Sequence, residues 1–192
     1  MSGVAGRPAD RPADRPGHSV LVVPVPELDP FVQARTAHYD ASFLSADPAF
    51  AHAHVTLLGH WLSDPAVADL DTVAQVLARF EPFETALGEV SAFPDGLVHL
   101  RPEPDAPFRA LTQALVARFP QCPPYAGRFP DPVPHLTLDQ TSEAVTVDSV
   151  AAELRGILPV RLRVDRVDLQ WWANHDCHVR HTWKLGVSEV VR

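Results

Sequence analysis

The tetrapeptide His54-Val55-Thr56-Leu57 is met again as His135-Leu136-Thr137-Leu138, and similar sequence follows each copy. In an extended strand, residues two apart point to the same face. Each copy therefore presents one imidazole and one hydroxyl side by side. Val55 and Leu57, or Leu136 and Leu138, turn the other way into a core. A chain built like this must hold two similar half-buried strands and whatever packs behind them.

The elements around the motifs repeat as well. A helix opened by Asp64-Pro65 carries Val67, Leu70, Ala74, Leu77 and Phe80 on one face, and a helix over 147–158 carries Val147, Val150, Ala151, Leu154 and Leu158. Each is followed by a strand whose apolar alternation slips phase. Phe83 and Leu87 give way to Val90 and Ala92; Val160, Leu162 and Val164 give way to Val167 and Leu169. The slips fall near Gly88 and Asp165, 77 residues apart, and a bulge in each strand accounts for both. A further strand closes each half, Leu97–Arg101 after Pro94-Asp95-Gly96 and Trp183–Val187 at the end. Such a repeat predicts two similar lobes rather than a solenoid, which needs three or more units.

The remaining elements frame the repeat. Residues 1–17, with the tandem Arg-Pro-Ala-Asp, read as a disordered leader, and 18–192 as one domain. Ser19–Val25 is a valine-rich strand. Asp29-Pro30 reads as the cap of a helix carrying Leu28, Phe31, Val32, Arg35 and Tyr39. Asp105–Phe119 is a third amphipathic helix, and a proline-rich loop over 120–134 leads to the second motif.

Charge and composition exclude some functions. With 46% hydrophobic and 21% charged residues, the chain is that of an ordinary globular protein. No apolar run approaches membrane-spanning length, and no secretory signal opens it, which predicts a cytoplasmic location. Two cysteines, Cys122 and Cys177, are too few for a disulfide framework. A net charge of −8 argues against tracking long or duplex nucleic acid, although a nucleotide or one RNA end held in a local pocket remains compatible.

Two imidazoles and two hydroxyls around one volume suit phosphodiester chemistry. Imidazole titrates closest to neutrality, so a pair serves as general base and general acid. Hydroxyls donate hydrogen bonds to an anion. Other residues near the motifs are candidates for binding. His52 shares a strand face with His54, the alternative being an exposed strand end. Trp61, like Tyr39 and Phe93, has the surface to stack a base or to pack in the core. Tyr125 and Arg128, ahead of the second motif, can reach phosphate or ribose or serve the loop alone. His175, Asp176, Cys177, His178 and His181 have metal-ligand chemistry, but a surface histidine cluster in a hairpin turn is the preferred reading.

Two His-x-Thr-hydrophobic motifs about 80 residues apart in a duplicated chain resemble the 2H phosphoesterase superfamily. The bacterial 2′–5′ RNA ligase (LigT-like) branch is the nearest in pattern. The likeness spans most of Ser19 to Val187. It implies an α+β, bilobal, pseudo-twofold fold of two antiparallel sheets flanked by helices, with both motifs at the floor of a central cleft. It implies RNA 2′,3′-cyclic phosphodiesterase activity without metal or other cofactor, and reversible 2′–5′ RNA ligation by the same pair. His54 and His135 would be the acid/base pair, and Thr56 and Thr137 the phosphate ligands. The partner would be a nucleotide or an RNA end bearing a cyclic phosphate; for oligomeric state, on which the sequence is silent, a monomer is the default. Departures are Gly59-His60-Trp61 after the first motif and Asp139-Gln140 after the second, where a basic residue is common. An acid at Asp139 facing the cleft would weaken binding of a multiply charged RNA end. The alternative on the same fold is a catalytically idle nucleotide-binding module.

Overall fold

The computed structural model describes residues 17–128 and 131–187. The leader expected over 1–17 therefore lies outside the described residues, save Gly17, which sits against the Trp171 ring. Among these residues are eight strands and four α-helices. They are β1 (His18–Pro24), α1 (Asp29–Asp40), β2 (His54–Trp61), α2 (Val67–Leu77), β3 (Phe83–Ala92) and β4 (Leu97–Glu103). After α3 (Ala106–Arg118) and β5 (Leu136–Gln140) come α4 (Val147–Glu153), β6 (Val160–Val164), β7 (Arg166–Trp172) and β8 (His178–Lys184).

All the strands join one antiparallel sheet in the order β6-β3-β4-β5-β2-β1-β7-β8. The expectation of two separate sheets is thus corrected. The two motif strands, β2 and β5, are neighbours at the centre and meet where Val55 faces Leu136. Pairing there removes two exposed strand edges that separate sheets would have left beside the cleft.

The phase slips have distinct structural outcomes. Between Leu87 and Val90 the pairing of β3 with β4 shifts register, as a bulge. At Asp165 the run over 160–171 breaks instead into two strands. β6 pairs with β3, while β7 pairs with β1 on the other side of the sheet.

Some boundaries differ from the sequence reading. Helix α1 is capped by Leu28, not Asp29. The Asp29 carboxylate instead accepts from the Ala53 N–H at 2.8 Å and from Gln33 at 2.9 Å, tying the helix to the approach to β2. Helix α2 starts at Val67, where Asp69 accepts from the Ala66 N–H at 2.9 Å. Helix α4, capped by Thr146 and Ser149, ends at Glu153 rather than 158. The last strand is His178–Lys184 rather than Trp183–Val187.

The core lies on one face of the sheet. Val55, Leu57, Leu136 and Leu138 are buried there, as their alternation demands, with Leu21, Leu100 and the α3 residues Phe108, Leu111 and Leu115. Fully burying a side chain of this size contributes roughly 1.5–3 kcal/mol, so the apolar positions of each motif anchor its polar ones. Among the described residues no helix is long and apolar enough to cross a membrane.

Candidate active site

The opposite face of the central strands floors a cleft of about 760 Å³, a size typical of small-molecule sites. His54, Thr56, His135 and Thr137 all line it. Val55 faces Leu136 across antiparallel strands, so a regular register continued one step either way would bring His54 toward Thr137 and Thr56 toward His135. Such cross-strand neighbours have Cβ atoms roughly 5 Å apart, and the diagonal pair is roughly 7–8 Å apart. All four side chains open onto the same floor. Helix α1 walls the cleft with Val32, Thr36, Tyr39 and Asp40, positions that share one helical face.

The imidazoles are held differently. His135 Nδ1 lies 2.8 Å from the Val133 carbonyl oxygen. A carbonyl only accepts, so Nδ1 carries the proton and Nε2 is the nitrogen left to react. Burial lowers the His135 pKa from its ordinary value, with the Val133 carbonyl pulling the other way. His54 is lowered further, to about 4, chiefly by burial, although the carbonyls of His52 and Ala51 oppose the shift. Its Nδ1 is buried without a well-formed hydrogen bond. Both shifts favour the neutral ring, and an anion bound beside either would favour its protonated form.

Tyr125 and Arg128 also line the cleft. Tyr125 adopts a φ of 51° in a short turn (Pro124–Gly127), and its ring lies 6.3 Å from His135, nearly parallel. His52 lines the cleft as well but is 3% exposed. Its Nε2 accepts from the Ser45 N–H at 3.2 Å, and Nδ1 faces Asp29 Oδ2 at 3.8 Å. Both nitrogens are thus turned to the protein, which makes His52 a wall rather than a ligand for substrate.

Trp61 is not in the cleft. It is 3% exposed and packs edge-on against Phe119 at 5.2 Å in the core. The expectation that it stacks a base is corrected, and the reason is parity. Strand β2 slips against β1 at Leu57 and again at His60. The two slips cancel and return Trp61 to the face of Val55 and Leu57. Asp139 is not a free acid in the cleft either. It is 4% exposed, forms an ion pair with Arg35 at 2.7 Å and accepts from the Tyr39 hydroxyl.

Several lining residues escaped the sequence reading. His18 meets His60 edge-on at 4.2 Å, and both line the cleft. Burial, then His60, lowers the His18 pKa to about 4. Trp172, at the end of β7, lies 5.6 Å from His54. Behind His135, the fully buried His99 stacks on Phe93 at 3.8 Å, and Phe93 sets its edge to His135 at 5.0 Å. His99 Nε2 accepts from Arg101 at 3.3 Å while Nδ1 donates to the Leu97 carbonyl at 3.1 Å. A histidine on a strand carries no signal for such roles until the pairing of the strands is known.

The alternative metal cluster is dispersed. Cys177 donates to the Ala173 carbonyl, His178 faces Asp176, and His181 packs on Trp183. Among the described residues no group of three or more His, Cys, Asp or Glu side chains is placed to hold an ion.

Known structures share this architecture. E. coli LigT, solved with 3′-AMP, is 19% identical with a TM-score of 0.53, covering 89% of this chain and 99% of that one. A structure described as a phosphoesterase is 18% identical with a TM-score of 0.52, covering 89% and 99%. The protein TT0787 of Thermus thermophilus is 20% identical with a TM-score of 0.51, covering 90% and 100%. At such identities the likeness is one of fold. No curated protein matches the sequence. The family model of the 2′-5′ RNA ligase superfamily matches residues 24–176, most of the chain, including both motifs. The chain belongs to the 2′-5′ RNA ligase superfamily.

Proposed function

We propose that the protein hydrolyses a nucleoside 2′,3′-cyclic phosphate by acid/base catalysis between His54 and His135, with ligation as the same ring opening by a ribose hydroxyl in place of water. The observation that carries this reading is the meeting of both His-x-Thr pairs on neighbouring central strands at the floor of one cleft. The cyclic phosphate sits among the four side chains. One imidazole, neutral, takes a proton from water as the water oxygen bonds to phosphorus. The bond from phosphorus to one ribose oxygen breaks, and the second imidazole, protonated, gives that oxygen its proton. Thr56 and Thr137 donate hydrogen bonds to the non-bridging oxygens as charge gathers there. Family membership and the E. coli LigT complex with 3′-AMP support a nucleotide as the ligand.

The test is a panel of 2′,3′-cyclic nucleotides and a cyclic-ended oligonucleotide, assayed in EDTA. Proton transfer by a placed histidine supplies about 10²–10⁴-fold, so His54→Ala and His135→Ala should each lose at least about 100-fold in turnover. The wild-type pH–rate profile should be bell-shaped. Undiminished ligand binding with no turnover of any cyclic phosphate would instead identify an idle nucleotide-binding module.

A further inference from the structure

Trp172, a ring the proposed chemistry does not use, is the centre of an aromatic cluster that includes the motif residue His54. Its ring lies 4.8 Å from Phe50, 6.0 Å from His52, 5.6 Å from His54 and 6.5 Å from Phe43. The interplanar angles of these contacts run from 41° to 88°, so none of these four rings lies flat on the indole. The indole is also fixed in place. Its Nε1 donates to Gln170 Oε1 at 3.2 Å, and the fully buried Gln170 donates onward to the Ala51 carbonyl at 2.8 Å. Core packing does not account for the ring, because Trp172 is partly exposed and lines the cleft. A rigid aromatic surface in a cleft, one ring away from a motif histidine, is what a nucleobase stacks on.

Charge limits what else the ligand carries. Among the described residues that line the cleft, Arg128 is the one Lys or Arg side chain, and Asp40 is an acid. The whole chain carries a net charge of −8. A multiply charged RNA end draws its affinity from several cations set along its phosphates, and the lining does not supply them. A cyclic mononucleotide carries one negative charge and one base.

Resting on the reading of the site as a cyclic phosphodiesterase, we propose that Trp172 seats the nucleobase and that the substrate is a single nucleoside 2′,3′-cyclic phosphate rather than the end of an RNA chain. The base lies on the indole, the ribose spans the gap to His54, and the cyclic phosphate reaches the four motif side chains.

Tryptophan fluorescence tests the seat without relying on turnover. Trp61 and Trp183 are in the core, and Trp171 is covered by Arg180 at 3.8 Å, so Trp172 is the indole on the cleft. Adenosine 3′-monophosphate should quench the full-length protein, and Trp172→Phe should remove the quench while still binding. Trp172→Leu, checked for an unchanged melting transition, should raise KM for adenosine 2′,3′-cyclic phosphate about tenfold or more with a smaller change in kcat. Should Trp172→Leu perturb folding, the wild-type quench and its loss in the nucleotide-bound Phe variant carry the test. Wild-type kcat/KM at physiological salt should be at least as high for the cyclic mononucleotide as for a cyclic-ended oligonucleotide. Nucleotide binding without quench, an unchanged KM in the Leu variant, or a tenfold preference for the oligonucleotide overturns the proposal. Quench without turnover of any cyclic phosphate leaves the seat standing and removes the catalytic reading. Turnover indifferent to Trp172 does the reverse.

Discussion

Arg35 Nε lies 2.7 Å from Asp139 Oδ2, joining the middle of α1 to the strand that carries the second motif. The same carboxylate accepts from the Tyr39 hydroxyl, one helical turn on, and Arg35 also reaches Glu153 at 2.7 Å. An acid that looks hostile to a phosphate ligand is therefore neutralised by the wall of the cleft and holds that wall in place. Leu138 and Asp139 follow Thr137 directly, so the position of α1 and the position of the motif are coupled.

Replacing Asp139 with alanine should consequently act on stability more than on charge in the site. The change leaves Arg35 with Glu153 and deprives the Tyr39 hydroxyl of its acceptor. Losing one partner of a mostly buried pair costs about 3–5 kcal/mol when both ions are enclosed. Arg35 is a quarter exposed on its side chain, so about 1–3 kcal/mol is expected. Urea denaturation would register this as a lower midpoint with an unchanged slope. If Asp139→Ala leaves the midpoint alone but tightens nucleotide binding, the carboxylate acts on the ligand rather than on α1.

The threonines make a sharper kinetic prediction than the histidines, because valine has the same shape and lacks only the donor. Thr56→Val and Thr137→Val should lower kcat with little change in KM, since the hydrogen bonds strengthen as charge builds on phosphate. Removal of one such donor costs about 10²–10³ in kcat where it points at a developing oxyanion. Thr56 is partly exposed and Thr137 exposed, so their contact with water makes the lower end the expectation. A rise in KM with kcat intact would mean that they bind ground state and transition state alike.

Trp61 separates what the sequence discloses from what it conceals. Its odd number puts it in step with Val55 and Leu57, so the alternation of β2 already implied a core position. Its being a large aromatic residue just past the motif suggested a ligand instead. Trp61→Ala should cost about 3–5 kcal/mol, as large-to-small core changes do, and thermal melting should reveal it. A raised KM in a variant of native stability would restore the ligand reading.

The same contrast runs through the chain. The motif strands, α3 and the bulge near Gly88 were readable because each rests on a local period of two or near four. The β6–β7 break was visible as a phase slip, but its consequence, a chain crossing from β3 to β1, depends on pairing that no local pattern records. The strand at His178–Lys184 was hidden because His178, Val179, Arg180 and His181 carry no clear alternation, being half-buried or exposed at a sheet edge. In the Trp171-Trp172 pair the two rings must point to opposite faces. Which one meets the cleft follows only from Trp172 lying opposite His18. Asp139 was readable as an acid in the motif but not as half of an ion pair, because Arg35 is distant in sequence.

Two half-buried histidines of the cleft should make the fold acid-sensitive. His54 and His18 each fall from an ordinary 6.5 to about 4, both mainly through burial. Each binds its proton more weakly folded than unfolded, so between these values the unfolded chain holds more protons and stability rises with pH. The contribution is complete above about pH 6.5 and drains away as pH falls toward 4. His52, His60 and Asp29 act on these two through their charges, His52 and His60 opposing protonation and Asp29 favouring it. Denaturant midpoints taken in steps from pH 7.5 to pH 4.5 should therefore drop, and the drop should be shallower in the double variant His18→Gln, His54→Gln. Inorganic phosphate should move the drop to lower pH, since an anion in the cleft stabilises the imidazolium form of the folded protein. A double variant as acid-sensitive as the wild type would assign the loss to carboxylates elsewhere, and a wild-type profile indifferent to phosphate would mean that the two motif strands do not share an anion.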